Sequence, residues 1–303
     1  SFDYFLSLET EIYLRKMKKL LLLVALAAFV FVGCSDDGET PGGGGDATAP
    51  TSYTQKALLE YFSGTWCPYC PDGKVYFENI AGQVGANFSS AVYHYSDNMD
   101  NLYDDEIDNK YAAGYPTGMI NRVGGVAASR GTWDGTVRQV LAETAKCGLA
   151  IDASTKTGNN LDVTVKLGIG AEDMPAGNYF LTVLIIEDEM TGTGTGWHQR
   201  NGYNGSAGHA YAGKGDPILG YEHTNVVRNV LTNALGDELT ADQVKSGALS
   251  TFTFSADVAG LGEDLDVVAF ISEATTNLAN PAASTSYIYN VQRTDMGTNL
   301  DFD

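Results

Sequence analysis

Apolar and polar residues are arranged in distinct ways along this chain. Between Met17 and Cys34, "MKKLLLLVALAAFVFVGC" sets two lysines ahead of a thirteen-residue apolar run, Leu20 to Val32. Residues 34–52 follow Gly33 and are acidic and then glycine-rich, with "SDDGETPGGGGDATAP" at 35–50. Patterned sequence begins at residue 53. "QKALLEYFSGTWC" is an apolar run closing in small residues, which predicts a buried strand leading into a loop. "CPDGKVYFENIAGQV" places Val75, Phe77, Ile80 and Val84 at helical spacing, and "NFSSAVYHYSD" reads as a second strand. "NLYDDEIDNKYAAG" reads as a short helix whose first-turn acids suit the helix dipole. "YPTGMINR", "GGVAASRG" and "TWDGTVRQVLAETAK" follow as strand, strand and helix. The predicted order over residues 53–147 is β-α-β-α-β-β-α.

From Gly148 the period shortens to two. "LAIDASTKTGNNLDVTVKLGIG" alternates around "TGNN", a hairpin signal. "NYFLTVLIIEDEM", "STFTFSADV", "DLDVVAFISEA" and "SYIYNVQRTD" are further strands of similar length. They predict an antiparallel β-sandwich over residues 148–303. One long loop, residues 191–239, interrupts it, and loops of that length are functional or unstructured. The fold class read from the pattern is therefore an α/β domain followed by an all-β domain.

The N-terminal texture reads as targeting. Thirteen apolar residues are too few for a bilayer span of about 20, but they fit the short core of a secretory signal. Residues 1–16 lie upstream of Met17, fit no signal region, and read as a mis-set translation start. "FVGC" resembles the lipobox of bacterial lipoproteins. That resemblance implies cleavage before Cys34, a diacylglycerol on its sulfur and an acylated amine, which together anchor a chain stably to a membrane. Residues 34–52 are then a flexible tether, unable to bury apolar area against their chain entropy.

Charge narrows the partners. Residues 1–33 hold three acidic and four basic residues, so the remaining 270 carry a net charge of −21 against −20 for the whole chain. Such acidity repels phosphate backbones, which excludes nucleic acid as a partner. Glycine spacing in the long loop misses both the dinucleotide and the P-loop patterns, which excludes nucleotides. The run "DNMDNLYDDEIDN" has a calcium loop's composition without its glycine and terminal glutamate, so it reads as a helix start. No cofactor is implied.

The chemistry concentrates in "GTWCPYCPDGK". Cys67 and Cys70 sit at a strand-to-helix junction, where N–H groups and the dipole stabilise a thiolate on Cys67 and Cys70 lies one turn away to resolve a mixed disulfide. Zinc would need four ligands, and no second close pair supplies them. His198, His209 and His223 in the long loop are too widely spaced to argue a metal site. Two readings stay open: a redox pair and an inert structural disulfide. Cys147, the remaining cysteine, reads as a small buried hydrophobe.

"WCPYC" resembles the active site of the thioredoxin superfamily, and "GYPTGMINRVGGVAASRG" resembles that fold's segment running from its cis-proline through a glycine hairpin. The resemblance implies catalytic roles for Cys67 and Cys70, a groove shaped by Pro116, and partner proteins offering thiols or disulfides. Trp66, Glu60 and His94 are candidate modulators. The chain departs from the family where a buried aspartate is usual: that position is Tyr61, and Glu60 falls on the other strand face. "LLEYFSGTWCPYCP", "HYSD", "GYPTGMINR" and "YEHTNVVRNVL" together resemble the twenty-eight-kilodalton outer-membrane-protein family, lipoproteins of the Bacteroidetes. That resemblance implies an outer-membrane or surface location. It leaves two functions: a lipid-anchored thiol–disulfide oxidoreductase, and a binding or adhesion lipoprotein on an inactive scaffold.

Overall fold

Strand β1 (Ala57–Ser63) is buried along its whole length, as its largely apolar sequence favours, with Glu60 the one charged residue in it. The structure is a computed structural model describing residues 48–125, 127–275 and 285–303. The signal segment, the lipidation candidate Cys34 and the tether up to residue 47 lie outside the described residues. β1 runs parallel to β2 (Phe88–His94) and antiparallel to β3 (Thr117–Ile120). Helix α1 (Cys70–Val84) joins β1 to β2, α2 (Leu102–Tyr111) joins β2 to β3, and α3 (Trp133–Leu141) follows β3. The strand predicted from "GGVAASRG" is reduced to one bridge, Gly118 with Ala128. Asn121, Arg122, Gly124 and Gly125 all adopt positive φ, at 46°, 55°, 79° and 69°. Backbone in that region turns the chain and cannot extend a strand.

The later strands are β4 (Cys147–Thr157), β5 (Asn160–Ile169), β6 (Tyr179–Glu187), β7 (Val226–Val230), β8 (Asp237–Glu238), β9 (Leu249–Asp257), β10 (Leu265–Thr275), β11 (Thr285–Asp295) and β12 (Asn299–Leu300). β4 and β5 form the predicted hairpin, with Thr157 opposite Asn160. The strands do not close a sandwich by themselves. β6, β7, β10 and β11 continue the sheet of β1 to β3 in the order β11-β10-β6-β7-β2-β1-β3, with β8 on β6. A second sheet holds β12-β4-β5-β9. The seam between the two halves of the chain is the parallel pairing of β2 with β7, at Val92 and Val226. One sheet thus crosses the predicted boundary at residue 147, and all described residues fall in one compact unit.

Apolar content on both faces of β6 explains this. Leu181, Val183 and Ile185 enter a core with the second sheet, whereas Leu184 and Ile186 enter another with Phe62, Tyr93 and Ile107. A strand apolar on both faces is stable only when covered on both. At the β1 end, the face that carries the second sheet elsewhere packs α1 and α3 through Leu59, Tyr61, Phe77, Trp133 and Val137. The opposite face packs α2 through Ile107 and Tyr111. Each such buried apolar side chain contributes about 1.5–3 kcal/mol.

Candidate functional site

The chain leaves β1 at Ser63 and turns tightly into α1. Gly64 permits the turn, because a Cβ there would lie 2.6 Å from Trp66 Nε1 and 3.1 Å from the Tyr95 carbonyl oxygen. The Cys67 N–H donates to Gly64 O at 3.0 Å, and the Cys70 N–H to Cys67 O at 3.4 Å. Cys67 and Cys70 form a disulfide with their Cα atoms 5.5 Å apart. α1 starts at Cys70, not at Cys67, because that turn occupies residues 64–67. Pro71 takes the first helical turn, where its missing N–H costs nothing.

Trp66 is 43 % exposed. Its Nε1–H donates to Tyr95 O at 2.7 Å, and its ring meets Tyr115 edge-on at 5.1 Å. Tyr115 also stacks on Tyr95, with centroids 5.8 Å apart, and its hydroxyl is bound by Asp108. The Tyr115–Pro116 bond is cis, and Pro116 immediately precedes β3. Trp66, Tyr95 and Tyr115 thus form one aromatic edge beside the pair.

The other sequence candidates divide between two faces. Glu60 points away from the cysteines, into the core under α2, where Arg122 Nε and Nη2 donate to its oxygens at 2.7 and 2.8 Å. Nearby Glu60 keeps the Arg122 guanidinium charged despite the opposing effect of burial. Tyr61 faces α1 instead and donates its hydroxyl to Cys70 O at 2.7 Å. Burial raises the Tyr61 pKa, so the hydroxyl keeps its proton. His94 is buried at the end of β2, its Nδ1 2.7 Å from Asp97 Oδ2 and its ring 5.2 Å from that of His223. Asp97 Oδ2 also accepts from the Thr65 N–H at 2.8 Å, tying His94 to the cysteine loop. Cys147 is fully buried with its thiol pushed up to about 12 by desolvation.

Segment 199–209 of the long loop lies over the pair. Gln199 Nε2 donates to Cys67 O at 2.8 Å and lies 3.3 Å from both Gly64 O and Thr65 O. The Arg200 N–H donates to Thr65 O at 2.8 Å, and the Gly202 N–H to Pro68 O at 2.7 Å. Tyr203 packs edge-on against Tyr69 at 5.7 Å. In the first turn of α1, Asp72 pairs with Arg130 and accepts from His209 Nε2–H at 2.9 Å. That tautomer follows because His209 Nδ1 accepts from the Tyr211 N–H. Beneath this cover Cys67 and Cys70 are each only 2 % exposed. The groove that the thioredoxin resemblance implies is therefore covered at the cysteine pair, and the loop's peptide groups hold the cover there. Asp72, Arg130 and Asp97 are not singled out as site residues by the sequence, and only the length of the 191–239 loop points to Gln199.

Among the described residues no three or more His, Cys, Asp and Glu side chains gather as a metal site, and no helix is long and apolar enough to cross a membrane.

Comparison with solved structures gives a fold likeness to HBP35 of Porphyromonas gingivalis, with a TM-score of 0.61 at 18 % identity over 81 % of this chain and 76 % of that one. A protein from Agrobacterium tumefaciens, a structural genomics target, aligns with a TM-score of 0.50 at 14 % identity, covering 82 % and 98 %. No curated protein sequence matches. The family model of Outer membrane protein Omp28 matches residues 103–299, a stretch that begins after the cysteine pair and includes Pro116, β3 and the long loop. Because that match spans well over half of the chain, the protein belongs to the Omp28 family of outer membrane proteins, which indicates an outer-membrane location.

Proposed function

We propose that this protein is a thiol–disulfide oxidoreductase of the cell envelope, held at the outer membrane by lipid on Cys34. It acts on partner protein thiols or disulfides through Cys67 and Cys70. The bridged pair at the junction of β1 and α1 carries the reading. It lies in a sheet that flanks β1 with one parallel and one antiparallel neighbour, an arrangement in keeping with a thioredoxin-like half. A partner thiolate attacks Cys67 Sγ, and Cys70 departs as a thiolate at the start of α1, where the helix dipole stabilises it. A second partner thiolate then displaces Cys67, leaving the partner oxidised and the pair reduced. Pro116 and the Trp66–Tyr115 edge border the groove the partner backbone enters. The segment 199–203 must lift before exchange.

A second reading rests on the burial of both sulfurs: a surface binding lipoprotein whose disulfide only ties a loop. Reduction of insulin by the full chain, with Cys67→Ser as control, separates the two. The proposal requires catalytic turnover that Cys67→Ser abolishes. No turnover, with the pair still oxidised under mild reductant, favours the second reading.

A further inference from the structure

A small cavity lies behind the disulfide, bordered by Cys70, Tyr61, His94, His223, Lys74 and Tyr221. Its volume of about 20 Å³ holds one water, which needs some 10–15 Å³ of such space and polar partners. When Cys70 resolves a mixed disulfide, its thiol must first lose a proton, and it does so facing this cavity. The usual acceptor beneath a thioredoxin-type pair is absent: Tyr61 occupies that position and spends its hydroxyl on Cys70 O, and Glu60 is bound to Arg122 on the opposite face.

The bordering groups can be tested one by one as the base. Burial raises the pKa of Tyr61 and of Tyr221, so both hydroxyls are donors. Lys74 is an ammonium donor held by Glu222 O at 2.7 Å and Glu78 at 3.7 Å. His223 donates from Nε2 to Trp197 O at 3.0 Å, and burial, helped by neighbouring His94, pushes it down to about 3. It does not keep an added proton near neutral pH. His94 remains. Asp97, whose oxygens also accept from the Thr65 and Met99 N–H groups at 2.8 and 2.9 Å, stays ionised; burial alone would raise it, but these bonds and His94 lower it. An ionised carboxylate only accepts, so His94 Nδ1 carries the hydrogen and Nε2 is the ring's proton acceptor.

Resting on the redox reading above, we infer that His94, oriented by Asp97, is the proton acceptor and donor for Cys70 across the one-water cavity. In the resolving direction the Cys70 S–H proton passes to His94 Nε2 and the Cys70 thiolate attacks Cys67 Sγ. The Cys67–partner S–S bond breaks and the partner leaves as a thiolate. In the reverse direction a partner thiolate opens the Cys67–Cys70 bond and His94 returns the proton to Cys70. The partner disulfide is the oxidant in the first case and the partner thiol the reductant in the second.

The test uses the reduced full chain carrying Cys34→Ser and a chromogenic aromatic disulfide. The first coloured thiolate reports attack by Cys67, and the second reports resolution by Cys70. His94→Asn keeps a donor for Asp97 and should slow resolution about a hundredfold at neutral pH while sparing the first step. Asp97→Asn should lower the same step with the first step intact. An unchanged second step in a folded His94→Asn chain overturns this inference and leaves the oxidoreductase reading standing. A chain in which Cys67 never forms the mixed disulfide overturns both.

Discussion

Gln199→Ala removes a side-chain amide that joins the covering segment to the disulfide loop. In the folded state Nε2 reaches Cys67 O at 2.8 Å, with Gly64 O and Thr65 O at 3.3 Å and Arg200 O at 3.2 Å, and the residue is buried. Gly64 O, Thr65 O and Cys67 O each keep a backbone donor, from Cys67, Arg200 and Cys70, so alanine removes a hydrogen bond without orphaning them. A hydrogen bond contributes about 0.5–1.5 kcal/mol net, and each 1.4 kcal/mol is about tenfold in an equilibrium. The opened population should therefore rise between about twofold and tenfold. If reductant reaches Cys67 only from the opened state, the rate of disulfide reduction by excess dithiothreitol rises by the same factor. Quenching by alkylation and counting modified cysteines gives that rate, and a urea midpoint on the same samples reports global stability. An unchanged rate alongside a lowered midpoint would refute the reasoning, since it would mean the sulfurs are reached with the cover in place.

Two other predictions use groups away from the pair. Arg122→Met strands Glu60 in the core under α2 and should cost about 3–5 kcal/mol in urea unfolding, without altering the pair's reduction potential, because Glu60 faces the opposite side of β1. Acid should weaken the fold through His223, whose pKa burial, helped by neighbouring His94, lowers from 6.5 to about 3. A depressed histidine is neutral when folded and gains a proton on unfolding, so its contribution is complete above pH 6.5 and is lost as pH falls toward 3. At about pH 5 the loss is about 2 kcal/mol, and His223→Gln should flatten the urea-midpoint profile between neutral pH and that point.

The local elements were legible because their signals are local. The apolar run ending in "SGTWC" is β1 and its turn, the helical spacing after Cys70 is α1, and "TGNN" is the β4–β5 hairpin. Pro116 does open β3, next to the Tyr115 ring that meets Trp66. What the sequence did not disclose was long-range. "YFLTVLIIE" says only that β6 is covered on both faces, and nothing in it names β7 as neighbour or the second sheet as cover. The single parallel register of Val92 with Val226 leaves no mark in either strand. The cover escaped for the same reason. Gln199 is an ordinary glutamine until folding carries it to Cys67 O, and the peptide groups of Arg200 and Gly202 have no sequence identity at all.

The equilibrium potential of the Cys67–Cys70 couple, measured on the full chain in graded dithiol buffers, tests the central claim most directly. A working exchange pair predicts a value well above about −300 mV, with both cysteines alkylated at the reducing end. A couple lying below that value would mark the disulfide as a fixed clasp and contradict the account.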